Sequence, residues 1–292
     1  MRRYLLLFSL IIVPLATTEA FPNARPRPTP TPTPAQTEVY ATASDGTPLE
    51  WTVYSPVGNG PWPAVLVIHG GFFVSGEASE AGPATCARDL AAAGYLAFSI
   101  NYRLAPPGSL PGQRSLGRFP DQPDDVHLAV EAARNDARSN GKVGAVGGSS
   151  GATHAAWVAA TGGAGNDRLD VAVCLSGFYD LSDFRADSQV RLVIRTVTNY
   201  VGVPSTDLTA LRAASPAWVA DRSIAPLFLV DSTKELIPSV QSDDMVARLE
   251  AVGVRNYEAI TLPGSLHSFD YWPQIKDDAI AFLSSVLNNR SR

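Results

Sequence analysis

The chain reads as an α/β fold, with a mostly parallel central sheet, helices on both faces and a small helical cap insert. Three observations predict it. Apolar runs of strand length alternate with segments of helical spacing over most of the 292 residues. One such run, Val143 to Val146, passes through Gly-Gly-Ser-Ser-Gly straight into an Ala-rich helical stretch. The residues able to do chemistry fall just past the strands, where open α/β sheets place their sites.

Taken in order, residues 1–20 stand apart. Arg2 and Arg3 precede the apolar "YLLLFSLIIVPLA", and Thr18-Glu19-Ala20 offers small residues for cleavage. This pattern predicts an export signal, a secreted (extracellular or periplasmic) product and no stable membrane span after cleavage; an uncleaved anchor is the competing reading. Residues 21–36 alternate Pro and Thr and predict an extended spacer, so the folded domain is expected over 37–292. "TEVYATAS" and "LEWTVYSP" alternate like two antiparallel strands about an Asp45-Gly46 turn. "WPAVLVIHG", "YLAFSINY", "VAVCLSGFYD", "PLFLV" and "NYEAITLPG" read as further strands. Helices are expected over Glu80–Ala93, Asp121–Ala137, Val240–Val252 and Gln274–Leu287, each at helical apolar spacing. The alternation breaks over 182–220, which reads as the cap, with "SQVRLVIRTVTNYVG" as its main helix.

Composition excludes some function classes. Hydrophobic residues make up 45% and charged ones 17%, enough for a large core. A net charge of −5 gives no footing for nucleic acid. No Cys/His spacing suggests a metal. Of the two cysteines, Cys86 falls in a helix and Cys174 in a central strand, so two buried free thiols are expected, with a bridge as the lesser alternative.

Gly147-x-Ser149-x-Gly151 fits G-x-S-x-G in the strand–turn–helix setting that a nucleophile elbow requires. Ser150 fits the pattern less well, because Ala152 replaces the second glycine. Past the strand "AVLVI" comes His69-Gly70-Gly71-Phe72-Phe73, where glycines expose N–H groups suited to an oxyanion, and Ser150 N–H can supply another. His69 and Gly70 are expected to support that loop. His267, after the last strand, is the one well-placed base for a serine hydroxyl. His127 and His154 fall in helices and read as surface or packing residues.

At this point the chain resembles a family. "VIHGGFF", "INYRLAP", "FPDQPDDVHLAV", "GGSSG", "SGFYDL", "ASPAWV" and "LPGSLHSF" resemble the esterase side of the α/β-hydrolases. The nearest kin are bifunctional feruloyl/acetyl-xylan esterases and hormone-sensitive-lipase-like acyl esterases. The resemblance implies the α/β-hydrolase fold, serine-ester chemistry, no cofactor, and an oxyanion hole at Gly71, Phe72 and Ser150. The acid position departs from the pattern. In "LVDSTKELIP" the family's usual Asp slot falls on Lys234, and Glu235 next to it is the preferred triad acid, with Asp231 as competitor. The expected partner is a small-molecule or polysaccharide-linked ester, acetyl or feruloyl in type. An amidase-, formamidase- or peptidase-type hydrolase using the same triad is the nearer alternative, and a non-catalytic ligand-binding protein on the same fold is the more distant one. Tyr179, Tyr200 and Trp218 are candidate pocket walls, with core packing as the competing reading.

Overall fold

The computed structural model describes residues 35–105, 117–183 and 190–288. The expected export signal and nearly all of the Pro/Thr spacer lie outside the described residues.

Eight strands form one sheet: β1 (Gln36–Thr42), β2 (Pro48–Tyr54), β3 (Trp62–Ile68), β4 (Leu96–Ile100), β5 (Ser139–Gly148), β6 (Val171–Leu175), β7 (Leu227–Ser232) and β8 (Tyr257–Leu262). They lie in the order β1-β2-β4-β3-β5-β6-β7-β8. The β1–β2 and β2–β4 pairs are antiparallel, and every pair from β4 through β8 is parallel. The opening hairpin turns where expected. Gly46 takes φ 89°, and Thr47 N–H donates to Asp45 Oδ1 at 3.0 Å, an Asx turn that pins the register.

The central strands are apolar throughout because both faces are covered. Side chains alternate across a strand, so Ala64, Leu66 and Ile68 of β3 face one layer while Val65 and Val67 face the other. The first layer packs under α2 (Asp121–Asn135), α3 (Ser150–Ala160) and α7 (Val240–Ala251). The second packs under α1 (Ala81–Ala92) and α8 (Trp272–Leu287). Each fully buried Val, Leu or Ile stabilises these layers by about 1.5–3 kcal/mol relative to exposure. Helix α3 is buried on nearly every side, and its run of alanines allows that close approach. Cys86 on α1 joins the second layer and Cys174 on β6 the first, so the two thiols lie on opposite faces of the sheet and are free.

The expected elements differ from the structure mainly at their ends. Strand β1 begins at Gln36, inside the segment read as spacer, because Gln36 pairs with Val53. Strand β5 starts at Ser139, earlier than its apolar run, since Ser139 pairs with Trp62. Helix α8 begins at Trp272, two residues early, because Pro273 sits in its first turn, where no N–H is required. A short 3-10 turn, Ser268–Tyr271, leads into it. The insert holds α4 (Val190–Val201), α5 (Leu208–Ala213) and α6 (Pro216–Val219). Its Val193, Val197, Tyr200 and Leu211 form a third apolar cluster with Phe73, Phe178 and Ile237 at the carboxyl end of the sheet.

Candidate active site

Strand β5 runs into α3 through Ser149, which holds φ 55° and ψ −120°. That left-handed region disfavours any residue with a Cβ, and it persists only where neighbours over-determine it. Here Ser149 N–H donates to Leu175 O at 2.7 Å, while Ser149 O accepts from Ala152 N–H at 2.9 Å. The flanking glycines are required by space. A Cβ at Gly147 would strike the Gly151 backbone, and one at Gly151 would strike the carbonyls of Ile68 and His69. The outcome is a serine whose Oγ is buried and makes no hydrogen bond. Ser150 opens α3, so its N–H belongs to the first turn of a helix and has no intrahelical partner.

The loop after β3 lies directly against this elbow, and a Cβ on Gly70 would come 3.0 Å from Ser149 Cβ. Gly71 (φ 124°), Phe72 (φ 54°) and Phe73 (φ 66°) are all left-handed. Gly71 O is turned into the loop, accepting from Val74 N–H at 3.0 Å, Ser75 N–H at 3.1 Å and Ser75 Oγ at 3.0 Å. Because a trans peptide points its C=O and N–H in opposite directions, Phe72 N–H is directed away from those groups. His69 supports the loop from inside. Its Nδ1–H donates to Gly70 O at 2.7 Å, its ring stacks on Tyr102 at 4.3 Å, and Tyr102 Oη donates to His69 O at 2.9 Å. Burial lowers the His69 pKa to about 4, so it stays neutral at physiological pH.

His267 precedes the 3-10 turn on the loop after β8. Its Nδ1 lies 3.1 Å from Glu235 Oε2, and the Glu235 side chain is almost wholly buried. Donation from Nδ1–H to the carboxylate leaves Nε2 as the bare nitrogen. The loop carrying His267 abuts the elbow, since a Cβ on Gly148 would meet Phe269 at 2.8 Å. Two neighbouring loops are stitched together to seat the acid. Thr233 N–H donates to Leu262 O at 3.0 Å, Lys234 N–H to Gly264 O at 2.9 Å, and Ser232 Oγ to Leu266 O at 3.0 Å. Lys234 thus contributes backbone only, and its side chain is exposed.

Asp231, the competing acid, does not meet His267. It is the next-to-last residue of β7, on the α7 side of the sheet, beside Ser242, Asp243 and Thr261 in a groove against that helix. Burial raises its pKa. Ser176 and Tyr271 also surround the acid, and neither carries a sequence signal of a role there. Ser176 (φ 58°) accepts from Ser268 N–H at 3.0 Å, and the buried Tyr271 hydroxyl lies among Ser176, Ser232 and Glu235. Of the candidate wall aromatics, Tyr179 and Tyr200 are fully buried and serve packing instead. Trp218 is 47% exposed, with Arg212 over its ring at 4.2 Å and its Nε1–H donating to Asp180 Oδ2. His127 braces a loop by hydrogen bonds to Asp167 O and Thr161 Oγ1. Among the described residues no group of three or more His, Cys, Asp or Glu could hold a metal ion, and no helix is long and apolar enough to cross a membrane.

Known proteins share this framework. The BD-FAE family model matches residues 52–249. Esterase LipC of Mycobacterium tuberculosis is 28% identical over 235 residues, covering 72% of this chain and 54% of that protein, so the chain spans about half of that relative's length. Thermogutta terrifontis esterase 2 phosphonylated by sarin superposes with a TM-score of 0.71 at 18% identity, over 90% of this chain and 100% of that one. A truncated carbohydrate esterase from gut microbiota gives a TM-score of 0.69 at 18% identity, over 87% and 97% of the two chains. Similarity at such low identity speaks for the fold. With the sheet order, the elbow and the match over two thirds of its length, the chain belongs to the BD-FAE family and has the α/β-hydrolase fold.

Proposed function

We propose that this protein is an exported serine hydrolase of carboxylic esters, acting on short acyl or aryl esters through an acyl-enzyme. The observation that carries the reading is the 3.1 Å contact of His267 with a buried Glu235, on a loop abutting an unpartnered serine hydroxyl in a strained elbow. Ser149 Oγ attacks the acyl carbonyl carbon while His267 Nε2 takes its proton. The N–H groups of Gly71, Phe72 and Ser150 receive the oxyanion. Collapse breaks the C–O bond, and the departing alcohol takes the proton from His267. Water then attacks the acyl-serine with His267 again as base, releasing the carboxylic acid.

Thermogutta esterase 2 is also solved with propionate and with butyrate bound, and the gut protein is described as a carbohydrate esterase. Propionate and butyrate favour short acyl groups such as acetyl, and the carbohydrate esterase favours a polysaccharide carrier; an aryl ester of feruloyl type is the further candidate. A chain lacking an acid for His267 would favour a non-catalytic protein, and the 3.1 Å contact with Glu235 speaks against that alternative.

Two measurements test the proposal. A fluorophosphonate probe should label the protein stoichiometrically, with the modified peptide mapping to Ser149; no labelling, or labelling elsewhere, would overturn the serine-hydrolase reading. For export, protein recovered from the medium or periplasm should begin near Phe21, because Thr18 and Ala20 suit a signal peptidase. An intact Met1 on membrane-bound protein would replace export with anchoring.

A further inference from the structure

We propose that Gln122 and His154 are positioning residues that together set the spacing of the two halves of the oxyanion hole. The inference rests on reading Phe72 N–H and Ser150 N–H as the oxyanion donors. These donors come from different parts of the chain, one from the loop after β3 and the other from the start of α3. Something must hold them in register, since a misplacement of about 1 Å can cost two decades in rate.

A chain of buried hydrogen bonds connects them. Gln122, in the first turn of α2, donates both hydrogens of its amide nitrogen to carbonyls, to Phe73 O at 2.8 Å and to Gly117 O at 2.6 Å. That fixes the orientation of its amide and turns Oε1 toward His154, whose Nε2 lies 2.8 Å away and must carry the hydrogen. Phe73 directly follows Phe72, and both are held at positive φ. His154 stands one helical turn after Ser150 on α3. One side-chain relay, from His154 through Gln122 to Phe73 O, therefore links the helix carrying one donor to the loop carrying the other.

Burial makes this relay costly unless it has a use. Gln122 and His154 are both fully buried, and His154 Nδ1 has no partner. An orphaned buried polar atom destabilises the fold. The imidazole sits in an aromatic box, with ring centroids 5.4 Å from Phe73, 5.1 Å from Tyr102 and 5.7 Å from Tyr200. Phenylalanine would leave no orphaned nitrogen in that box, yet it lacks the N–H that orients Gln122. Burial also holds the imidazole pKa down to about 3, so the ring is neutral and its one hydrogen stays on Nε2 at working pH. Tyr200 stacks on the Phe73 ring at 4.0 Å, so the anchored loop also forms the floor of the cap.

The test compares His154→Phe, Gln122→Met and the double variant with wild type on p-nitrophenyl acetate, well below each Tm. Each variant should lose roughly tenfold to hundredfold in kcat, with KM changed by less than about threefold. Inhibition by a phenylboronic acid, which mimics the tetrahedral state, should weaken in proportion to kcat. The double variant should be no worse than Gln122→Met alone, since His154 acts through Gln122. Folded variants with lower Tm but kcat and boronate affinity within about twofold of wild type would overturn the proposal. If Gln122→Met does not fold, His154→Phe, which keeps the ring volume, decides the question by the same readouts. If wild type hydrolyses no ester, the functional reading fails separately, and hydrogen exchange of peptide 69–76 then judges the relay. Faster exchange in His154→Phe supports it, and unchanged exchange overturns it.

Discussion

Replacing Ser149 by alanine is expected to cut ester turnover by about 10^4-fold or more, while Ser150→Ala keeps most of the activity. The asymmetry follows from which atom each serine supplies. Ser149 offers its hydroxyl, held by the strained elbow without a competing hydrogen bond. Ser150 offers only its main-chain N–H, which alanine retains. Alanine also has good helix propensity, so α3 should start unchanged. Steady-state kinetics on the two purified variants checks this, with thermal melting to show that both are folded. The reverse ranking would mean that the elbow presents the other hydroxyl.

Glu235→Gln is expected to lower kcat strongly, by up to about 10^4-fold, with little loss of stability. The amide keeps the size of the side chain but loses the charge that stabilises an imidazolium. It also presents either a donor or an acceptor to Nδ1 and so admits the wrong tautomer. Asp231→Asn is the matched control. Since Asp231 does not meet His267, its kcat should stay within about threefold of wild type, and stability should rise at neutral pH. The sign follows from the raised pKa. A buried carboxyl whose folded pKa exceeds its unfolded value costs stability once pH rises above the unfolded value, and asparagine removes that cost. The gain should vanish below the ordinary aspartate range, where both side chains are neutral. A melting series over pH on the two variants and wild type reads both effects. Equal, mild changes in kcat for Glu235→Gln and Asp231→Asn would show that neither acid serves the histidine.

Much of the framework is visible in the chain because it rests on short-range rules. Apolar runs such as Ala64–Ile68 must be buried on both faces, and that alone implies parallel strands under helices. The elbow is legible because only glycine fits at 147 and 151, where backbone passes within contact distance. The acid is harder to read. Lys234 occupies the slot where a sequence comparison looks for Asp, and Glu235 reaches the imidazole because main-chain bonds from Thr233 and Lys234 tie its loop to the next one. Such a bond pattern has no residue signature. The same holds for His154 and Gln122, separated by 32 positions and joined only once α2 packs on α3. A histidine in a helical pattern reads as surface or packing until the partner across the interface is known. Tyr200 was equally ambiguous, and stacking on Phe73 draws it into the core.

The placement of Cys86 and Cys174 on opposite faces of the sheet has a consequence for manufacture and handling. They are the only cysteines in the chain, and a bond between them would have to pass through the sheet itself. Burial also raises both thiol pKa values, which withholds the reactive thiolate. The fold is therefore assembled without covalent cross-links. It needs no oxidising chaperone to mature, and a reductant in the buffer has nothing in it to cut.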